Sequence, residues 1–381
     1  MTRNAGLAVL EKHAQTDLKT DSSADSAWYD RSEYWRSYEP KKKGPRRKFN
    51  FREPLFICGH GAHIRVEHNS LLIRNGFTHY PQVQEIVRLF PGDGNLPDRI
   101  ILLDTSGGIT FDAMTWIFEQ GISLVQIDWR GRVNCVGNNS GSPYRRELTA
   151  RQLKFKGSEM AVDFSRELIG NKFDNSISTI KALFPASEKS NYVVGEIKKY
   201  RTRLNRLPKS GGQSKMLGLE GAVAVAYFRS WHGVPLNWSG LKKKPIPPNW
   251  LQIGPRTMSW RKGGDNARHP INAMLNYGYA MLISQLRGQV IATGLDPSIG
   301  IAHGNSQNRI PLVYDLMEPL RPIVDCVILR FALSHLFAPD DFTINRFGAC
   351  RINPQLATVV AKQTSEFEVE SVVRDFIKIL R

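Results

Sequence analysis

A few acidic residues and one histidine could do chemistry in this 381-residue chain. Glu220 lies in KMLGLEGAVAVAYFRSWHG, where the residues from Gly218 to Ala226 are otherwise small or apolar. A carboxylate on such a helix is costly to bury unless it is paired, protonated or metal-bound. A salt bridge to a nearby arginine is the plain alternative. His303 lies in TGLDPSIGIAHGNSQ, framed by Gly300 and Gly304, so the backbone there can come close to a ligand. Its imidazole suits a borderline divalent metal, and a satisfied surface or core histidine is the alternative. In VYDLMEPLRPIVD, Asp315 and Glu318 are three apart, and Glu318 and Asp325 seven apart. On a helix all three share roughly one face, although Pro319 and Pro322 start or kink a helix here. Like charges so close call for a cation, and hard oxygen ligands with a single imidazole suit Mg²⁺ or Mn²⁺. Acids decorating a helix N-terminus would serve the macrodipole instead. Cys58, His60 and His63 in CGHGAH form a rival set that lacks a fourth ligand and also reads as a glycine-bearing β-turn.

Basic stretches flank the acids. Residues 196–215 carry Lys198, Lys199, Arg201, Arg203, Arg206, Lys209 and Lys215 against Glu196 alone. Residues 241–268 carry Lys242, Lys243, Lys244, Arg256, Arg261, Lys262 and Arg268 against Asp265 alone, with Trp250 and Trp260 between them. Such cations hold phosphates without reading sequence, and the tryptophans are expected to stack on splayed bases. Arg321, beside Glu318, is a further candidate for phosphate. The whole chain has 52 Lys and Arg against 35 Asp and Glu, a net charge of +17, which favours a polyanionic partner, nucleic acid first. An acid-and-histidine pocket between phosphate-holding stretches is the layout of a phosphodiester enzyme. No run of eighteen apolar residues suggests a membrane span, and MTRNAGLAVLEKHAQTD lacks the apolar core of a secretory signal. Four cysteines without paired spacing fit a reducing compartment, so a cytoplasmic location is expected.

The elements that must position these groups are legible in outline. Residues 1–50 are polar, end in the basic run Lys41–Lys48 and read as a flexible arm. Residues 51–140 read as a β-rich scaffold or dimerisation domain. Its strands are expected at 54–58, 63–66, 70–74, 100–104 and 122–128, with one helix from Phe111 to Gln120 capped by Thr110 and stopped at Gly121. Residues 150–381 read as an α-helical domain, with helices in 148–168, 174–206, 215–231, 270–287, 311–337 and 355–380 and a long surface loop over 232–269. The fold class is α+β: a β-rich N-terminal domain followed by an all-α catalytic domain.

Four motifs in order, LEGAVAVAYF, HPINAMLNYGYAML, GLDPSIGIAHG and YDLMEPLRPIVD, together with SGGITFDAMTWIFEQGISLVQID, resemble the CRISPR-associated spacer-acquisition integrase family, the core adaptation endonuclease. The resemblance covers about 53–340. It implies a β domain joined to a helical catalytic domain, a homodimer, and a heterohexamer with the ferredoxin-like second adaptation protein. It also implies capture of double-stranded DNA fragments, whose 3′ hydroxyls are joined to the ends of a CRISPR repeat. By position it makes Glu220, His303 and Glu318 the metal ligands, and Asp315 a further acidic site residue. Relatives often carry Asp or Asn where this chain has His269, and the arm before residue 51 lies outside the common core. A transposon-encoded integrase that joins its own element's ends, and a non-catalytic DNA-binding scaffold, are the alternatives.

Overall fold

The structure, a computed structural model, describes residues 22–38, 53–138, 145–184, 187–208, 212–254, 267–302 and 310–380. Six strands form one sheet: β1 (Leu55–Glu67), β2 (Ser70–Arg74), β3 (Ile86–Leu89), β4 (Arg99–Ile109), β5 (Ser123–Ile127) and β6 (Val133–Gly137), in the order β3-β2-β1-β4-β5-β6. The two apolar runs expected as separate strands, 54–58 and 63–66, are one bulged strand. Gly59 and Gly61, at φ +88° and +76°, absorb the register shifts against β4, so CGHGAH is a bulge within β1. The β1–β2 hairpin closes through His68 and Asn69, both at positive φ, as a two-residue turn requires. Not every connection is a hairpin. β4 runs parallel to both β1 and β5, and helix α2 (Phe111–Glu119) makes the crossover from β4 to β5. The Thr110 side chain caps α2 by accepting from the amide of Ala113.

The sheet is a middle layer. Ile57, Ile64, Ile73, Ile100 and Leu124 pack with Ala113, Trp116 and Ile117 of α2 on one side. Residues one step out of phase, Cys58, Ile101, Leu103, Val125 and Ile127, join the core of the helical region on the other, as the two-residue period of a strand dictates.

The helical region comprises α3 (Arg146–Phe155), α4 (Glu159–Leu183), α5 (Glu188–Asn205), α6 (Gly212–Trp231), α7 (Pro270–Ala292), α8 (Pro311–Met317), α9 (Arg321–Ser334), α10 (Pro354–Gln363) and α11 (Glu370–Leu380). Four of the expected helices are each divided in two. Ser158 and Ser187 start α4 and α5 by capping their amides, and Pro319 ends α8 in a 3₁₀ turn over Glu318–Leu320. Short strands β7 (Asn237–Trp238) and β8 (Leu336–Phe337) pair with each other, as do β9 (Phe342–Ile344) and β10 (Cys350–Ile352). The expected loop over 232–269 therefore includes a strand, and Trp250 within it is buried, its indole donating to the carbonyl of Arg268. That corrects the expectation that Trp250 stacks on bases; Trp260 lies outside the described residues. His269 caps α7, Nδ1 accepting from the amide of Ile271 at 3.1 Å, the same task that Asp or Asn performs at an N-cap.

The expected flexible arm also needs correction. Ser22–Ser37 form helix α1, and Trp28, Ser32 and Trp35 recur at helical spacing on its inner face. Trp35 is 1% exposed. Arg31 grips Asp341 through Nε at 2.7 Å and Nη2 at 2.8 Å, and the Trp35 indole donates to the same carboxylate. On the β side, the Trp28 indole donates to the carbonyl of Thr78, and His79 pairs with Glu33. Two tryptophans seven positions apart, Trp28 and Trp35, hold this otherwise polar segment down. The basic run Lys41–Lys48 lies outside the described residues.

Candidate active site

The acids converge because α4 carries one polar stripe. Lys172, Asn175, Ser176 and Thr179 lie at i, i+3, i+4 and i+7, a single helical face. Asn175 donates to the carbonyl of Pro319 at 2.8 Å and Thr179 to that of Pro322 at 2.7 Å, so α4 holds both the 3₁₀ turn that carries Glu318 and the first turn of α9. Helix α6 buries Met216, Leu219, Val223, Ala226 and Tyr227 along one side. Glu220 sits at the margin of that stripe, turned towards α4. Between the two acids lies the ammonium of Lys172. It hydrogen-bonds Oε1 of Glu220 and lies 2.5 Å from Oε2 of Glu318. The side chains of Lys172, Glu220 and Glu318 are 15%, 13% and 8% exposed, so this ion triad is largely out of water.

Burial alone pulls the Lys172 ammonium down, but the charges of Glu318 and Glu220 outweigh it and hold its pKa above the ordinary lysine value. The salt bridge anticipated for Glu220 therefore exists, with a lysine in place of an arginine. Lys172 was not singled out in the sequence. Its only signal was indirect: two buried carboxylates require a cation, and 172 is on the α4 face that also bonds the Glu318 turn.

A further layer lies behind Glu318. Nε of Arg321 is 3.0 Å from Oε1 of Glu318, close enough for an ion pair though not aligned as a hydrogen bond. The Arg321 guanidinium also lies over the ring of Tyr279 on α7, 5.5 Å from its centroid. Arg321, expected to face phosphate, is engaged with Glu318 and Tyr279 in this structure. The hydroxyls of Tyr279 and Tyr227 both donate to Asp325, which is 2% exposed. Burial and the Asp325 charge hold the Tyr227 hydroxyl well above its usual range, so it stays a donor. Asp325 is therefore the anchor of two tyrosines, and the break at Pro319 removes it from the face it would share with Glu318 on one continuous helix.

Asp315 is 1% exposed, and its Oδ2 accepts from the amides of Ile301 at 2.5 Å and Ala302 at 3.1 Å. It fixes the backbone leading into residue 303. His303 itself lies outside the described residues. Among the described residues no group of three His, Cys, Asp or Glu side chains stands close enough to hold a metal. His60 instead contacts the hydroxyl of Ser106 at 3.0 Å, and Cys58 is buried. The donor set that is described fits a divalent cation of the Mg²⁺ or Mn²⁺ kind. Two carboxylates already aim oxygens at one cationic centre, and carboxylate oxygen is the ligand such ions prefer.

The basic candidates divide by what they touch. Lys198, Lys199 and Arg203 are exposed on α5, as is Arg206 just beyond its end, and Lys242 and Lys243 are exposed as well. Arg201 is held by Asp174 at 3.3 Å and by Asn205, and Lys244 by Asp340 at 2.6 Å. Lys209, Arg256, Arg261 and Lys262 lie outside the described residues.

A mixed sheet with a crossover helix, followed by a helical region that holds a buried carboxylate pair, defines an α+β protein whose acids sit in its helical half. Residues 55–366 match the family described as CRISPR associated protein Cas1, and the chain belongs to that family. Among its relatives, a CRISPR-associated protein Cas1 of Methanobrevibacter ruminantium is 29% identical over 254 residues, spanning 62% of this chain and 67% of the relative. A CRISPR-associated endonuclease Cas1 of Archaeoglobus fulgidus is 26% identical over 301 residues, spanning 75% and 80%. In fold the chain is similar to a casposase bound to integration product, with a TM-score of 0.70, 22% identity, and coverage of 86% of this chain and 89% of that one. A Cas1 protein from Thermotoga maritima gives a TM-score of 0.64 at 15% identity, covering 86% and 96%. A chain of a Cas6-RT-Cas1–Cas2 complex gives 0.66 at 17% identity, covering 90% of this chain and 36% of that one. No helix among the described residues is long and apolar enough to cross a membrane.

Proposed function

We propose that this chain is a metal-dependent DNA endonuclease and integrase of CRISPR spacer acquisition, joining 3′ hydroxyls of captured double-stranded DNA to the ends of a CRISPR repeat. The observation that carries the reading is the meeting of Glu220 and Glu318, from two different family motifs, at one buried cationic position. Glu220, Glu318 and His303 would hold a Mg²⁺ or Mn²⁺ ion, with Asp315 fixing the segment that delivers His303. Such an ion, when bound, stabilises charge developing on the attacked phosphate and lowers the pKa of a coordinated hydroxyl or water. The protein's own residues do the rest. Asn175 and Thr179 hold the Glu318 turn and the start of α9 in place, Arg321 orients the Glu318 carboxylate, and the exposed cations of α5 and of Lys242–Lys243 would hold the DNA backbone. With water in place of the 3′ hydroxyl, the same arrangement cleaves. Family membership supports a homodimer, and the likeness in fold to a chain of a Cas1–Cas2 assembly supports a partnership with the second adaptation protein.

Strand transfer on branched DNA tests this. Glu220→Ala, His303→Ala and Glu318→Ala are each expected to abolish it with the fold intact, and their losses should be non-additive because the three act as a unit. Wild-type integration by any one of them removes that residue from the site. A second reading, integration of a mobile element's own ends, is favoured by the likeness to the casposase. Competition between a CRISPR-repeat target and a terminal-inverted-repeat donor separates the two. A non-catalytic scaffold would bind both and join neither.

A further inference from the structure

Lys172 belongs to none of the motifs that carry the family resemblance, yet its ammonium occupies the point on which Glu220 and Glu318 converge. We propose that Lys172 is a positioning residue that doubles as a gate. It holds the two carboxylates in their ligating arrangement in the metal-free protein, and a divalent ion loads only by displacing its ammonium. This rests on the reading of Glu220 and Glu318 as metal ligands.

The argument is geometric. The ammonium lies 2.5 Å from Oε2 of Glu318 and also bonds Oε1 of Glu220. A Mg²⁺ ion needs carboxylate oxygen at about 2.0–2.1 Å. Both cations cannot occupy the space between the same two oxygens, and at that separation their mutual repulsion is severe in a site with side-chain exposures of 8–15%. A lysine can yield where an arginine fork would not, because its charge is a single point on a flexible four-carbon stem. The two acids come from different helices and would repel each other if left without a cation. Lys172 removes that repulsion, so the site is assembled before any metal arrives. The cost of this arrangement is metal affinity. If the carboxylates are free of the ammonium about a tenth of the time, the apparent affinity falls about tenfold.

Two measurements on the full chain without DNA test the gate. The first is Mn²⁺ binding by calorimetry to the wild type, Lys172→Met and Glu220→Gln. We expect Lys172→Met to bind Mn²⁺ about tenfold more tightly than the wild type, and Glu220→Gln to lose binding. Equal or weaker binding by a folded Lys172→Met, with Glu220→Gln still defective, overturns the gate and leaves the metal site standing. Absence of Mn²⁺ binding in the wild type and in Lys172→Met alike overturns both. The second measurement needs no substitution. Lys172 in the wild type is acylated with an amine-reactive ester and quantified by peptide mass spectrometry, with and without saturating Mn²⁺. Displacement predicts that Mn²⁺ increases labelling of Lys172 while leaving the exposed Lys198 unchanged. Unchanged or reduced labelling of Lys172 at saturation overturns the gate, whatever the behaviour of the variant.

Discussion

At the scale of single residues, His269 gives the clearest dependence on pH. Burial holds its imidazole below the ordinary value of 6.5, and its Nδ1 must stay unprotonated to accept from Ile271. The unfolded chain therefore binds a proton that the folded chain resists. Stability from this group is fully present above 6.5 and is lost as pH falls from 6.5 towards the lower folded value. Urea denaturation at roughly pH 7.5 and 5.5 should show that loss in the wild type and a smaller one in His269→Asn, which keeps a capping oxygen but cannot titrate there. His269→Ala should lose about 0.5–2 kcal/mol even at the higher pH, through the missing cap. Equal slopes in the wild type and His269→Asn would place the pH dependence elsewhere. At this scale the sequence was informative about acids and silent about their partners. Glu220 and Glu318 stood out because carboxylates are conspicuous among apolar neighbours. Lys172 did not, because one lysine in a basic chain carries no mark until its helix face is known.

Secondary-structure elements were legible where their signals were local. Thr110 and Gly121 bracket α2 as expected, since capping acts within one turn. The divisions between helices were missed because periodicity runs on through Ser158 and Ser187, both of which are compatible with a helix interior until their caps form. β3 and β6 were missed because they are four and five residues long with no fully buried position. Helix α1 was missed because its mean composition is polar while its contacts are aromatic and distant. Its energetics are checkable. Trp35→Ala should cost about 3–5 kcal/mol, the range for emptying a buried aromatic site. Arg31→Ala leaves Asp341 without its guanidinium. That carboxylate is fully buried, and burial already lifts its pKa against the pull of Arg31, so a loss of about 3–5 kcal/mol is expected. Two truncations separate α1 from the residues before it. A chain starting at residue 22 should melt as the full chain does, and one starting at residue 39 should melt well below it. Equal melting of the two would mean that α1 adds nothing to the fold.

The whole molecule carries a net charge of +17, and the structure sorts which cations are free to use it. DNA binding is expected to be largely indifferent to sequence and to weaken steeply with salt. The slope of log K against log salt should change by about −0.9 for each phosphate neutralised. Replacing the exposed Lys198, Lys199 and Arg203 together should flatten that slope, whereas replacing Arg201, which Asp174 and Asn205 already hold, should leave it nearly unchanged. Filter binding between about 50 and 200 mM salt gives both slopes. A flat dependence in the wild type would remove phosphate as the leading contact.

Helix α1 also sets an order of events during synthesis. Arg31 and Asp341 are 310 positions apart, and Ser32 and Asn353, which share a hydrogen bond, are 321 apart. At about 5–20 residues per second, the ribosome needs roughly 15–60 s to make the partners that α1 requires. Throughout that time Trp35 is without Phe331, Phe337 and Asp341, whereas Trp28 can already reach Thr78, 50 positions on, as the sheet forms. An early segment of the chain is thus among the last to find its place, and a ribosome-bound nascent chain stopped before residue 341 should leave Trp35 open to quenchers that the finished protein excludes.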